Sequence, residues 1–235
     1  VEQLALSLPF YTSYDPADFV ISECNFIAFE RIQQKTIPAS HMLGLIGAEN
    51  TGKTHLTSVF HSLYPTATRL CNETLKTYDL LNLSAHSFII DDADIIRDEV
   101  AFFHLINIVR QRKGILFFTA KTAPSQWRIR LPDLKSRLCS AELVYLQNID
   151  AMLHRNILEK LFSDRQININ TDIIDYTLDF IKPDIHNFKQ FVACFDQLLL
   201  NHRRTPSKSF VIKVLFEKPL LMNEAAQHKF LGKKI

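Results

Sequence analysis

The sequence predicts an α/β fold: a parallel sheet sandwiched by helices, followed by a small all-helical domain. Three observations carry that prediction. Short apolar runs alternate with amphipathic stretches over the first 148 residues, a glycine-containing turn joins the first such run to a helix, and beyond that point only helical patterns follow. With 235 residues and 47% apolar content, the chain can bury a sizeable core.

Each element follows from its own pattern. SECNFIAFERIQQ (22–34) has helical spacing, with Ser22 placed as N-cap, after a leader holding Tyr, Pro and Asp. MLGLIG (42–47) is the short apolar run of a buried parallel strand. KTHLTSVFHSLY (53–64) follows as an amphipathic helix, TRLC (68–71) as a weak strand and NETLKTYDLLNL (72–83) as a polar helix. SFIIDD (87–92) is a clear strand, RDEVAFFHLINIVRQRK (97–113) a long helix, and GILFFTA (114–120) and AELVYLQ (141–147) are further strands. LPDLKSRL (131–138) reads as a short amphipathic turn.

Past residue 148 come three helical segments, 150–166, 171–182 and 184–202. SFVIKVLF (209–216) fits either a short strand or the start of a last helix. The expected division is an N-terminal peptide 1–12, an α/β domain 13–148, a helical domain 149–218 and a basic tail 219–235.

Charge and cysteine content exclude some classes. The net charge of +2 is too weak to mark a nucleic-acid binder by itself. It is uneven, however: residues 203–235 carry about +6 and the rest about −4. Such an end is either a solvated surface or a contact for nucleic acid. Cys24, Cys71, Cys139 and Cys194 are widely spaced, without a C-x-x-C pair, as expected for reduced thiols. No apolar run approaches the ~18 residues of a membrane span, and no basic-then-apolar signal opens the chain. The expectation is a cytoplasmic protein with no membrane partner.

Three of five glycines (Gly44, Gly47, Gly52) fall within nine positions. GAENTGKT (47–54) fits G-x-x-x-x-G-K-[ST] between an apolar strand and a helix, the context that motif requires. Backbone N–H groups of such a loop surround an anion, and the helix N-terminus adds partial positive charge. Gly47, Asn50, Thr51, Gly52, Lys53, Thr54 and His55 therefore form the candidate phosphate cradle. Lys53 is expected to neutralise β/γ-phosphates, and Thr54 to ligate Mg²⁺. FIIDD supplies the facing acids, Asp91 for the metal and Asp92 for the attacking water. Asp94 reads as bystander charge. Thr119, at the end of the third clear strand, is a candidate γ-phosphate sensor. Arg137 is a candidate arginine finger acting on a neighbour's nucleotide.

The order FVISECN, GLIGAENTGKTHL, FIIDDAD, LFFTAKTAPSQW, LPDLKSRL and FKQFVACFDQLL resembles the ATPase module of the DnaA/Hda family of AAA+ proteins, over about residues 2–216. The shorter, Hda-like regulators of initiator inactivation are the more similar branch, because too little chain follows VLFEKP for the initiators' helix-turn-helix domain. The resemblance implies a nucleotide domain followed by a helical lid. It implies bound ADP or ATP with Mg²⁺, with Phe19, Ile21 and Asn25 bordering the adenine.

The same resemblance makes QLALSL a clamp-binding peptide, with Gln3, Leu4, Leu6 and Leu8 as anchors. A terminal strand with the leucines on one face is the alternative. Its partners would be DnaA and the β sliding clamp of DNA polymerase III, with DNA touched through the clamp and a homo-oligomer left open. The implied function is negative regulation of replication initiation, Arg137 promoting hydrolysis of DnaA-bound ATP. A self-assembling helicase-loader type ATPase and a non-catalytic nucleotide-binding scaffold are the alternatives.

Two departures matter. Lys189 stands where the family's lid carries a sensor arginine, and lacks the bidentate fork. Lys121 stands where the initiators have an acid.

Overall fold

A computed structural model describes residues 19–77, 84–202 and 205–231. The candidate clamp peptide with Gln3, Leu4, Leu6 and Leu8 lies outside the described residues, as does the end of NETLKTYDLLNL. The described chain forms two compact units, one up to residue 149 and one from residue 150.

The first unit is built on five parallel strands, β1 (Met42–Ile46), β2 (Thr68–Leu70), β3 (Phe88–Ile90), β4 (Leu116–Ala120) and β5 (Glu142–Tyr145), in the order β2-β3-β4-β1-β5. α1 (Glu23–Gln33) precedes β1, and between the strands run α2 (Lys53–Leu63), α3 (Asn72–Thr77), α4 (Glu99–Gln111) and α5 (Pro132–Cys139). β1 and β4 are buried along their whole length, which is why MLGLI and LFFTA are continuous rather than alternating apolar runs.

Successive side chains leave a strand on opposite faces. Accordingly Met42, Ile46, Phe88, Ile90, Leu116 and Phe118 pack with α4 and α5 residues such as Phe102, Leu105 and Leu138. Leu43, Leu45, Ile89 and Phe117 pack on the other side with Ala28, Ile32, Leu56 and Phe60. Gly44 belongs to this packing and not to the Gly47–Gly52 loop. A Cβ there would lie 2.4 Å from Phe118 Cζ and 2.7 Å from Leu143 Cδ2.

Local chemistry sets the ends. Ser22 is the N-cap of α1, and its N–H donates to Asn25 Oδ1 at 2.9 Å. Asp98 caps α4 by accepting from the Ala101 N–H at 3.0 Å. LPDLKSRL is a true helix, α5, with Pro132 in its first turn, where a missing N–H costs nothing.

The second unit contains α6 (Ala151–Ser163), α7 (Thr171–Leu178), α8 (Ile185–His202), α9 (Lys208–Glu217) and α10 (Glu224–Leu231). Its core is rich in phenylalanine: Phe162, Phe188, Phe191, Phe195 and Phe210 cluster there. SFVIKVLF resolves as helix, because Phe210, Val211, Val214 and Leu215 share one buried helical face.

The segment expected as a basic tail, 219–235, is described up to residue 231. Residues Pro219–Leu221 form a 3₁₀ turn, Met222 bridges Ile181, and α10 follows. Leu221, Met222 and Ala226 are buried in the helical core, so their apolar surface decides the conformation. No helix among the described residues is long and apolar enough to cross a membrane.

Candidate functional site

The loop from Gly47 to Gly52 leaves the end of β1 and enters α2 at Lys53. Gly52 is the helix N-cap at φ +92°, a left-handed conformation that glycine adopts without steric penalty. A Cβ on Gly47 would sit 2.7 Å from Thr51 Oγ1 and 3.0 Å from Leu146 Cβ, so the chain needs glycine for close approach. Asn50 is exposed and also left-handed, at φ +60°. Thr51 is buried, and its hydroxyl donates to the Ala48 carbonyl at 2.9 Å.

Lys53 is buried, and its ammonium donates to the carbonyls of Gly47 at 2.8 Å and Ala48 at 2.6 Å. The cation is thereby held inside the curl of the loop. Burial pushes its pKa below the ordinary lysine value, with Asp92 and Asp94 pulling the other way. Thr54 is exposed at the start of α2. His55 meets the Phe19 ring edge-on at 5.2 Å, and Phe19 stacks on Phe29 at 5.6 Å. Phe19 thus stands beside the loop, its ring 3.9 Å from where a Cβ on Gly52 would lie.

The acids at the end of β3 are held by hydroxyls. Thr57 Oγ1 lies 2.9 Å from Asp91 Oδ1 and 3.0 Å from the Lys53 carbonyl. Thr119 Oγ1 lies 3.2 Å from the same Asp91 oxygen and accepts from the Asp92 N–H at 3.0 Å. Both threonines are fully buried. Thr119, expected to read a γ-phosphate, is engaged with the two acids. Asp92 is exposed, in the left-handed region at φ +51°.

Thr57 was not foreseen. Its signal is a threonine between Leu56 and Val59 on the buried face of α2, one turn after Lys53. A hydroxyl buried among apolar neighbours must find an acceptor. A second unforeseen contact joins the loop to the end of β4, where Lys121 pairs with Glu49. The bond lowers the Glu49 carboxyl pKa and raises that of Lys121. Lys121 N–H also donates to Asp94 Oδ2 at 3.3 Å.

The remaining candidates sit elsewhere. Ile21 is exposed. Asn25 is buried, with its carboxamide donating to the Val20 carbonyl at 2.9 Å and accepting from Ser22 N–H. It holds the shape of the 20–25 segment, and both ends of its side chain are used there. Arg137 lies in the last turn of α5, its guanidinium 4.8 Å from the Phe103 ring centroid. Lys189 is on α8, in the helical unit.

The residues suit a nucleotide with Mg²⁺. The cradle admits no Cβ at Gly47, and the cation faces into the loop. Thr54 and Asp91 offer the hard oxygens that Mg²⁺ takes from protein, the rest coming from phosphate and water. Among the described residues no cluster of three or more His, Cys, Asp or Glu could hold a metal alone.

This sheet order, with the Gly47–Gly52 loop between β1 and α2, is the AAA+ α/β fold of DnaA domain III. Domain III of the Thermotoga maritima replication initiation protein DnaA superposes with a TM-score of 0.69 at 14% identity, covering 89% of this chain and 98% of that one. AMPPCP-bound DnaA from Aquifex aeolicus gives 0.67 at 14% identity, covering 89% and 70%. An uncharacterized protein of Haemophilus influenzae is 25% identical over 182 residues, 72% of this chain and 79% of its own length. No family model matches the chain.

Proposed function

We propose that this chain is a nucleotide-binding AAA+ regulator of replication initiation. It binds ADP or ATP with Mg²⁺ at Gly47–Thr54 and acts on the ATP held by DnaA. The observation that carries the nucleotide reading is the buried Lys53 ammonium enclosed by its own loop, beside two acids braced by buried threonines. The AMPPCP held by a DnaA of the same fold supports it.

In this reading Lys53 holds the β/γ-phosphates, Thr54 and Asp91 hold Mg²⁺, and Asp92 orients the attacking water. The metal supplies charge neutralisation between the phosphates. Phe19 borders the base. Gln3, Leu4, Leu6 and Leu8 dock on the β sliding clamp. Arg137, half-buried over the Phe103 ring, is delivered to the nucleotide of DnaA. The test is hydrolysis of DnaA-bound ATP, with and without clamp loaded on DNA, using the parent chain and Arg137→Ala. Stimulation that needs both the clamp and Arg137 supports the proposal, whereas equal stimulation by the variant removes Arg137 from it.

One observation favours a second reading, an ATPase that turns over its own nucleotide. Asp91 is held by two hydroxyls, the preorganisation that self-catalysed hydrolysis requires. Brisk hydrolysis by the isolated chain selects that reading.

A further inference from the structure

On the α4 side of the first unit, an open groove of about 600 Å³ is lined by Ile96, Arg97, Asp98, Glu99, Val100, Arg128 and Arg130. All three arginines are exposed, and among the described residues their guanidinium groups make no ion pair or hydrogen bond. The two acids of the groove are occupied. Asp98 accepts from the Ala101 N–H, and Glu99 accepts from the N–H groups of Arg130 at 2.9 Å and Leu131 at 2.7 Å. The groove therefore offers three forked donors that no carboxylate of the described residues engages.

A second feature adjoins it. A smaller cavity of about 110 Å³ shares Ile96, Glu99 and Arg128 with the groove and is otherwise lined mainly by Phe102, Trp127, Ile129, Leu134 and Leu138. It is smaller than the ~150 Å³ apolar cavity that accepts a benzene ring, a size suited to one aliphatic side chain. Asp94 also lines it, and Asp94 Oδ1 is buried with no hydrogen-bond partner. Such an oxygen calls for a donor.

We propose that this groove docks an acidic segment of a partner protein. Its carboxylates meet Arg97, Arg128 and Arg130, one aliphatic side chain enters the small cavity, and an N–H group donates to Asp94 Oδ1. The chemistry favours a peptide over nucleic acid. No aromatic ring lines the groove for bases to stack on. The carboxylates of Asp98 and Glu99 in its wall oppose an unbroken run of phosphates but leave room for spaced side-chain acids. An apolar anchor hole beside a charged rim is the anatomy of a protein contact.

The test is fluorescence anisotropy on the full chain with a labelled peptide alternating glutamate and leucine. Saturable binding is expected, weakening about tenfold in the Arg97→Gln/Arg128→Gln/Arg130→Gln variant, and about as much when the peptide's glutamates become glutamine. These arginines lie outside the nucleotide site, so nucleotide affinity of the variant reports that it is folded. Absence of saturable binding overturns the proposal, as does binding indifferent to the three substitutions. Competition by a single-stranded oligonucleotide that depends on the same arginines and exceeds the peptide in affinity overturns it in favour of nucleic acid. Salt- and arginine-dependent dimerisation without peptide overturns it in favour of a second copy.

Discussion

At Asp91 two buried threonines converge on one carboxylate oxygen, and each is replaceable by a residue of nearly the same shape. Thr57→Val removes one hydroxyl without opening a cavity, and should lower stability by about 1 kcal/mol, read from urea unfolding. It should also weaken Mg²⁺-dependent nucleotide binding while leaving magnesium-free binding near the parent level. Equal loss with and without magnesium would show that Thr57 supports only the fold.

Lys121 tests a second local claim. The Glu49 carboxyl is held below its ordinary pKa chiefly by the hydrogen bond from Lys121. Lys121→Met should return Glu49 to the ordinary carboxylate range, as followed by NMR titration of the side-chain carbonyl. An unchanged Glu49 titration would mean that the pair does not persist in solution.

At the scale of elements, packing across the sheet and burial in the helical unit give two further expectations. Gly44→Ala places a methyl against the Phe118 ring on the central strand, and should cost roughly 1–3 kcal/mol in denaturant unfolding. His154 of α6 is half-buried, edge-on to Phe188 at 5.6 Å, and burial lowers its pKa below 6.5. A depressed histidine favours the neutral form in the folded state. Its contribution is present above the ordinary pKa and is lost as pH falls from there toward the folded value. Stability should therefore drop on acidification below about pH 6.5, and His154→Gln should flatten that slope.

Strands and helices were legible wherever an apolar period was unbroken, as in MLGLI, LFFTA and the α4 segment. SFVIKVLF was ambiguous because β-branched and aromatic residues suit either period over so short a run, and its buried face became visible only against Phe195 and its neighbours. Beyond residue 218 the path is set by Leu221, Met222 and Ala226, whose burial in the helical core no local period of the sequence announces.

For the whole molecule, the Gly47–Thr54 loop between strand and helix and the Asp91–Asp92 pair at a strand end were visible in the sequence because each is a contiguous motif. The hydroxyls that brace the acids were not, since Thr57 and Asp91 are 34 positions apart and meet only through the sheet. The arginines of the α4 groove come from 97, 128 and 130, a grouping that only the fold creates. Arg137 joins this scale to function. If it serves a neighbouring nucleotide, Arg137→Ala should reduce stimulated hydrolysis by about 10³-fold or more, while stability falls by no more than about 1 kcal/mol from the lost contact with Phe103.

The proposed function depends on the Gly47–Thr54 loop receiving a polyphosphate. Titration calorimetry of ADP and ATP with magnesium, on the parent chain and on Lys53→Ala, measures that directly. The account predicts one saturable site in the parent, weakened at least about tenfold in the variant. Folded parent protein that takes up neither nucleotide, or a Lys53→Ala variant that binds both as well as the parent does, would contradict it.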